Sequence, residues 1–494
     1  MYLKKVTLRN FRCFEQFEID LHPQLTVLVG LNGAGKTAIL DGIAAGLSPV
    51  LRYLSSANQR LSAAGAGIRD TDFRLVPSGK KSGRERWGAS DYAQIVIETT
   101  DGLRWDEWRA SAKKQGVTPP EKVGHKSLAS RLSEIQESFK SEARELLPVF
   151  AYYGAQRGSI EIPQRLRGAK ENYEHPTSAL VDSLDPRSDF REMLAWFEQE
   201  EASELRKNKG KQSDDWQPSP TLDGVREAIQ LLLNEGYENP HFNEFHRFVV
   251  ESKTTQTPFQ VSQLSQGYQA MLALGMDFAR RLSLGNEHLA VAMQHIGDLL
   301  NPVAGNDPVG ALLGHLQKLG RPVDGIATGI ATKFAPAVML VDEIDLHLHP
   351  AWQQRVLADL MRAFPGTQFI VTTHSPQVLT SADSSCIRVV QEEPDTESGK
   401  RRFVVQSGFQ QTKGVASSDL LAKIMGVNPI PPVEEARWVA DYTAMIENGV
   451  HESAEGKFLR EKLVDFYGGT HPIMLDVDRL IRFQNFKLRR DSAG

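Results

Sequence analysis

The stretch Gly30-Leu31-Asn32-Gly33-Ala34-Gly35-Lys36-Thr37 constrains this chain more than any other, because its G-x-x-x-x-G-K-T spacing demands one local architecture. It follows Leu25–Val29, a short apolar run with β-branched members that reads as a buried strand. It precedes Ile39, Leu40, Ile43 and Leu47 at helical spacing. A strand–loop–helix unit of this kind wraps its backbone round a phosphate chain. Glycines allow the close approach, N–H groups point inward, and the helix N-terminus adds roughly half a positive charge. Asn32, Gly33, Ala34 and Gly35 are therefore expected to line the phosphates of ATP, Lys36 to neutralise the β- and γ-phosphates, and Thr37 to hold Mg2+.

A second run, Val338–Glu343, ends an apolar strand in adjacent carboxylates. Phosphoryl transfer needs one carboxylate for the metal and another polar group to orient the attacking water. Neighbours at a strand end point different ways, so Asp342 suits the first role and Glu343 the second. Apolar strands ending in Asp-Glu are common; the phosphate loop upstream gives this one its meaning. Leu264-Ser265-Gln266-Gly267-Tyr268-Gln269 opens an apolar helix. Ser265 and Gly267 there make either a second phosphate-binding surface or an ordinary N-cap.

That hexapeptide resembles the signature motif of ABC-type ATPases, usually LSGGQ, with Gln266 and Tyr268 as departures. Phosphate loop, signature, acidic strand and His374 at the end of QFIVTTH occur in the order such heads have. The resemblance implies an α/β fold, with mixed sheets around the phosphate loop, helical insertions and a small C-terminal helical region. It also implies roles. His374 would be the switch histidine on the γ-phosphate, acting with Lys36 and Glu343 in catalysis. Gln156, ending LPVFAYYGAQ, would be the Q-loop residue near Mg2+, and Arg12 in LRNFRCF an arginine near the nucleotide. Asp345 matches the D-loop aspartate, and His347 and His349 after it read as loop residues near a dimer seam. In such heads the signature of one copy meets the nucleotide of another. Ser265 and Gly267 would thus come from a mate, in a homodimer or higher homo-oligomer.

LRNFRCFEQFEIDL, YYGAQR, LSQGYQAMLAL and VDEIDLHLHPAWQQRVL resemble the RecF/OLD-like branch of soluble ATPases, and within it the PtuA-like ATPases of Septu and retron anti-phage systems. That resemblance implies partners: a separate HNH nuclease of the PtuB type and, in retron loci, a reverse transcriptase with its RNA–DNA hybrid. On this reading residues 1–157 form an N-terminal lobe with the phosphate loop and an antiparallel β insertion, and residues 158–258 a helical insertion. Residues 259–390 would form a C-terminal lobe, and 391–494 a partner-binding region. Leu284–Phe334 reads as an extra insertion suited to docking a partner. Two alternatives stay open: a RecF- or SMC-like DNA-repair head, and an OLD-like ATPase–nuclease. The latter needs spaced acids ending apolar strands after the head, and Asp476-Val477-Asp478 lies instead in a helical, basic context.

Composition narrows the partners. A net charge of −5 over 494 residues gives no global attraction to nucleic acid, so any contact with DNA must come from local runs such as Lys80–Arg86, Lys400–Arg402 or Lys487–Arg490. Cys13 and Cys386 form neither a disulfide framework nor a metal-ligand spacing, which fits a reducing, cytoplasmic setting. No apolar run reaches the ~18 residues a membrane helix needs, so no membrane partner is expected.

Overall fold

The computed structural model describes residues 1–55, 61, 67–81, 84–112, 116–140, 145–158, 175–187, 190–212, 215–233, 236–289, 331–394 and 401–491. Two compact units divide the chain, Met1–Leu420 and Leu421–Gly494. In the first unit the strands are β1 (Leu3–Phe11), β2 (Phe14–Asp20), β3 (Leu25–Val29), β4 (Leu75–Lys81), β5 (Arg84–Ala89), β6 (Tyr92–Thr99), β7 (Arg104–Ala110) and β8 (Val149–Tyr153). They continue as β9 (Tyr237–Phe242), β10 (Phe248–Ser252), β11 (Pro258–Gln260), β12 (Ala337–Val341), β13 (Thr367–Thr372), β14 (Ile387–Pro394) and β15 (Arg401–Gln406). Its longer helices are α1 (Lys36–Leu54), α2 (Lys126–Ser138), α3 (Phe190–Lys207), α4 (Pro220–Leu232) and α5 (Gln266–Gly285).

The central sheet has the order β15-β14-β3-β13-β12-β8, all parallel except β15, which pairs antiparallel to β14. Strands β3, β8, β12 and β13 are buried at every residue, so they read as unbroken apolar runs such as LTVLV and AVMLV rather than as alternation. Register sets Val341 beside both Tyr153 and Val371, and Thr372 beside Leu28. Everything that follows these strands therefore emerges along one edge: the loop from Gly30, the turn from Gly154, the acids from Asp342, and Thr373-His374. A crevice outside the carboxyl ends of parallel strands is where open α/β sheets bind ligands.

An antiparallel sheet, β2-β1-β6-β7, packs with α1 and the central sheet around one apolar core that includes Leu8, Ile43, Leu47, Ile95, Ile97 and Ile370. Trp105 is wholly buried there and donates to the Gly46 carbonyl at 2.8 Å.

One local expectation changes. Residues 158–258 are not helical throughout: Tyr237–Gln260 folds as the antiparallel sheet β11-β10-β9. Phe248 is buried there against the rings of Phe197 and Phe242. Within the basic run Lys80–Arg86, Lys80 stands opposite Glu85 and Lys81 opposite Arg84 where β4 pairs with β5. Helix α2 ends at Ser138, whose hydroxyl donates to Ile135 O (2.6 Å) and accepts from Glu145 N (3.0 Å). Most of the Leu284–Phe334 insertion lies outside the described residues, as do Lys400 and the side chains of the Lys487–Arg490 run.

The central sheet runs on through β15, so the fold of the first unit extends past residue 390 and closes at Leu420. The second unit contains the helices Glu434–Glu447, Ala454–Tyr467 and Pro472–Asp491 around a small core of Tyr442, Ile446, Leu463, Met474 and Val477. Among the described residues no helix is long and apolar enough to cross a membrane.

Candidate nucleotide-binding site

Gly35 sits just before α1 with φ 87°, and a Cβ there would stand 2.6 Å from the Phe14 ring, so only glycine fits. Lys36 is buried and folded back on its own loop, donating to the carbonyls of Gly30 (2.8 Å) and Leu31 (3.1 Å). Burial pulls its pKa below the ordinary lysine value, while Asp342, Glu343 and Asp345 work to raise it. A triphosphate would supply that ammonium with better acceptors than neutral carbonyls.

The acids meet this loop. Thr37 Oγ1 donates to Asp342 Oδ2 at 2.9 Å, across 305 positions of sequence. The other carboxylate oxygen accepts from Thr372 Oγ1 at 2.6 Å. Thr372 Oγ1 in turn accepts from Glu343 N at 2.7 Å, and Glu343 adopts φ 50°, the left-handed region that a glutamate rarely enters. Asp345 Oδ1 accepts from Thr373 Oγ1 (2.6 Å) and His374 N (3.3 Å), and the His374 side chain is exposed at the edge. Gln156 is exposed in the short turn Ala155–Gly158 directly after β8, the strand beside the one that ends in Asp342.

A hydroxyl and a carboxylate oxygen in direct contact are hard donors of the kind Mg2+ takes, the remaining positions being filled by phosphate oxygens and water. Among the described residues no cluster of three or more His, Cys, Asp or Glu would hold a metal unaided, and a site of this kind needs none. Thr37 and Asp342 fit the ion, and Gln156 stands in the turn after the neighbouring strand.

Arg12 is engaged by protein rather than open. With φ 49° it pairs with Asp41, one helical turn past Thr37, and donates from Nε to Asp72 Oδ1 at 2.9 Å. Burial works against its charge, and Asp41 and Asp72 outweigh burial and raise its pKa. Tyr152 donates to the other oxygen of Asp41 at 2.9 Å.

Ser265 precedes α5, is exposed, and makes no capping hydrogen bond. Gly267 is buried against its own chain: a Cβ there would stand 2.7 Å from the His347 carbonyl, so the signature helix rests on the D-loop. Tyr268 departs from the usual motif because its ring packs on Trp352 (centroids 4.5 Å apart) and edge-on to Tyr237 (4.9 Å). His349 caps the short helix Pro350–Gln353, accepting from Ala351 N at 3.3 Å.

Two features escaped the sequence reading. One is Thr372, which belongs to no motif. The other lies mid-way along α5, where fully buried Asp277 accepts from Tyr153 OH (2.9 Å), Arg280 (2.8 Å) and Arg281 (2.7 Å). Arg281 also donates to Ala179 O and Val181 O, and the Tyr153 carbonyl accepts from Asp342 N at 2.9 Å. The signature helix is thereby tied to the strand that leads to Gln156. Three charges inside LALGMDFARRL were the available signal.

An AAA domain family model (AAA_23) matches residues 5–235. The chain is 26% identical to the retron Ec83 probable ATPase of Escherichia coli, an alignment covering 94% of this chain and 83% of that protein. The α/β fold expected from the motifs, with mixed sheets around the phosphate loop and helical regions, is the one observed. Septu protein PtuA of Bacillus thuringiensis is 33% identical over 20% of this chain and 25% of its own length, so the resemblance to retron and Septu ATPases read from the motifs is borne out. Among solved structures, an Smc head bound to the C-winged helix domain of ScpA is 16% identical, covering 82% of this chain and 98% of that one with a TM-score of 0.38.

Proposed function

We propose that this chain is the ATP-binding and ATP-hydrolysing subunit of an anti-phage defence complex, controlling a separate HNH nuclease of the PtuB type. The carrying observation is the contact of Thr37 with Asp342, which joins phosphate loop and acidic strand into one polar cluster at the sheet edge. Lys36 holds the β- and γ-phosphates, Thr37 and Asp342 hold Mg2+, Glu343 orients water, and His374 and Gln156 lie on adjoining strand ends. With Mg2+ bound, the charge that develops on the transferred phosphoryl group is partly neutralised. Ser265 and Gly267 reach the nucleotide from a second copy, so ATP holds two heads together and hydrolysis lets them part. The exposed, uncapped Ser265 supports this arrangement.

Similarity to a retron ATPase supports a reverse transcriptase with its RNA–DNA hybrid as a further partner. Docking is assigned to Leu284–Phe334 and to the C-terminal region, and two unpaired thiols fit a cytoplasmic setting. Lys36→Ala is expected to abolish ATP binding, whereas Glu343→Gln binds ATP, stops turnover and shifts the chain to a dimer in size-exclusion chromatography. Native-rate hydrolysis by Glu343→Gln would remove Glu343 from its role. Mg2+-dependent DNA cleavage by the chain alone would assign it instead to the OLD-like nucleases.

A further inference from the structure

We infer that Thr372 is a positioning residue of this site, setting through one hydroxyl both the carboxylate that meets the metal and the backbone of the residue that orients water. The inference rests on the ATPase reading above and deepens it.

A threonine hydroxyl has one proton to give and lone pairs to receive. At Thr372 the proton goes to Asp342 Oδ1 and a lone pair receives Glu343 N–H, so its orientation is fixed from both sides. With Oδ1 held there, Asp342 turns only Oδ2 toward Thr37. The carboxylate is thus presented through a single oxygen. The main chain completes the grip, because Ile344 N donates to Thr372 O at 2.9 Å. Glu343 is bracketed: the N–H groups on both sides of its Cα end on the same threonine. That bracket sustains a φ of 50°, a conformation that a residue with a side chain rarely adopts. Without it the chain after β12 is free to relax toward an extended path, swinging the Glu343 carboxylate away from the edge. Thr372 itself is wholly buried at the end of β13 and is placed to touch neither nucleotide nor water. It acts through the two residues that follow β12, Asp342 and Glu343.

Valine matches threonine in shape and lacks the hydroxyl; serine keeps the hydroxyl and loses the methyl. Turnover and nucleotide binding are measured on the full chain, the latter with fluorescent ADP titrated with and without Mg2+. For Thr372→Val, kcat is expected to fall about tenfold or more while KM for ATP stays within about twofold. The Mg2+ concentration giving half-maximal enhancement of ADP binding rises several-fold, and Mg2+-free affinity is unchanged. Thr372→Ser restores both quantities to within about threefold of native. Should Thr372→Val fold poorly by its melting temperature, Thr372→Ala against Thr372→Ser makes the same contrast. Native kcat and Mg2+ response in the hydroxyl-less variant overturn the inference, as does a serine variant as impaired as valine, since the methyl would then be what matters. A native chain that neither binds nor hydrolyses ATP removes the ATPase reading itself. A working native chain, a dead Lys36→Ala and an unaffected Thr372→Val remove Thr372 alone.

Discussion

At the strand ends, the hydroxyls of Thr37 and Thr372 both donate to Asp342, Thr373 donates to Asp345, and Lys36 is held by two carbonyls. At the start of α5, twenty residues of helix are preceded by a serine that is exposed and caps nothing. One region satisfies its polar groups internally, and the other holds a hydroxyl out to solvent at a helix N-terminus. Buried polar groups are costly unless paired, so the first region is pre-organised by its own chain. An exposed serine costs nothing to leave open, because water satisfies its hydroxyl. The two regions are also linked, because Asp277 further along α5 bonds Tyr153 of β8, and the Tyr153 carbonyl takes the Asp342 N–H. The helix that follows Ser265 is thereby joined by hydrogen bonds to the strands that carry the acids.

The largest effect should come from that link. Asp277→Asn leaves Arg280 and Arg281 buried without their anion, a change that costs about 3–5 kcal/mol. Urea unfolding of the two proteins measures it, and a loss under about 1 kcal/mol would mean α5 is not anchored as described. Acid reports on the same cluster. Burial pushes the Asp277 carboxyl up, yet Arg281 and Arg280 outweigh it and hold its pKa at about 2, against an ordinary 3.8. A carboxyl depressed in the folded state contributes stability that is complete above the ordinary value and lost as pH falls toward the folded one. The gap between native and Asp277→Asn should therefore narrow below about pH 4, and a gap constant down to pH 2 would contradict the pairing.

A smaller loss is expected from Gly35→Ala. Its φ of 87° is strained for any side chain and the new methyl meets the Phe14 ring, so the phosphate loop must shift, at about 1–3 kcal/mol. Nucleotide affinity should fall further than stability, which fluorescent-ADP titration beside a melting curve resolves. Equal losses would show that the loop's shape serves folding and not binding.

This ordering follows what was legible beforehand. Motifs spelled out by neighbouring residues, such as Gly30–Thr37 and Asp342-Glu343, could be read because their chemistry is local in sequence. The buried parallel strands were legible for the same reason, as continuous apolar runs. Thr372 and Asp277 were not, because each takes its meaning from a partner far along the chain: Asp342 stands 30 positions from Thr372, and Tyr153 stands 124 from Asp277. Strands β9 to β11 were missed for another reason. They are short, β9 contains Pro240, and its burial does not alternate, so nothing in them outweighed the charged helical text around them.

Ser265→Ala should change stability least, within about 0.5 kcal/mol, because an exposed side chain with no capping bond is being shortened. Its effect on turnover should nevertheless be large if the hydroxyl serves a second copy. Mixing separates that idea from a site complete within one chain. Lys36→Ala supplies a sound signature and a dead phosphate loop, and Ser265→Ala supplies the reverse. In a shared site, a mixed pair rebuilds one working centre from the loop of one copy and the signature of the other. Two inactive preparations should then hydrolyse ATP when combined. If Ser265→Ala is inactive alone and the mixture stays inactive under conditions where the copies exchange, Ser265 acts on its own chain, and the contrast between the two regions has a different cause.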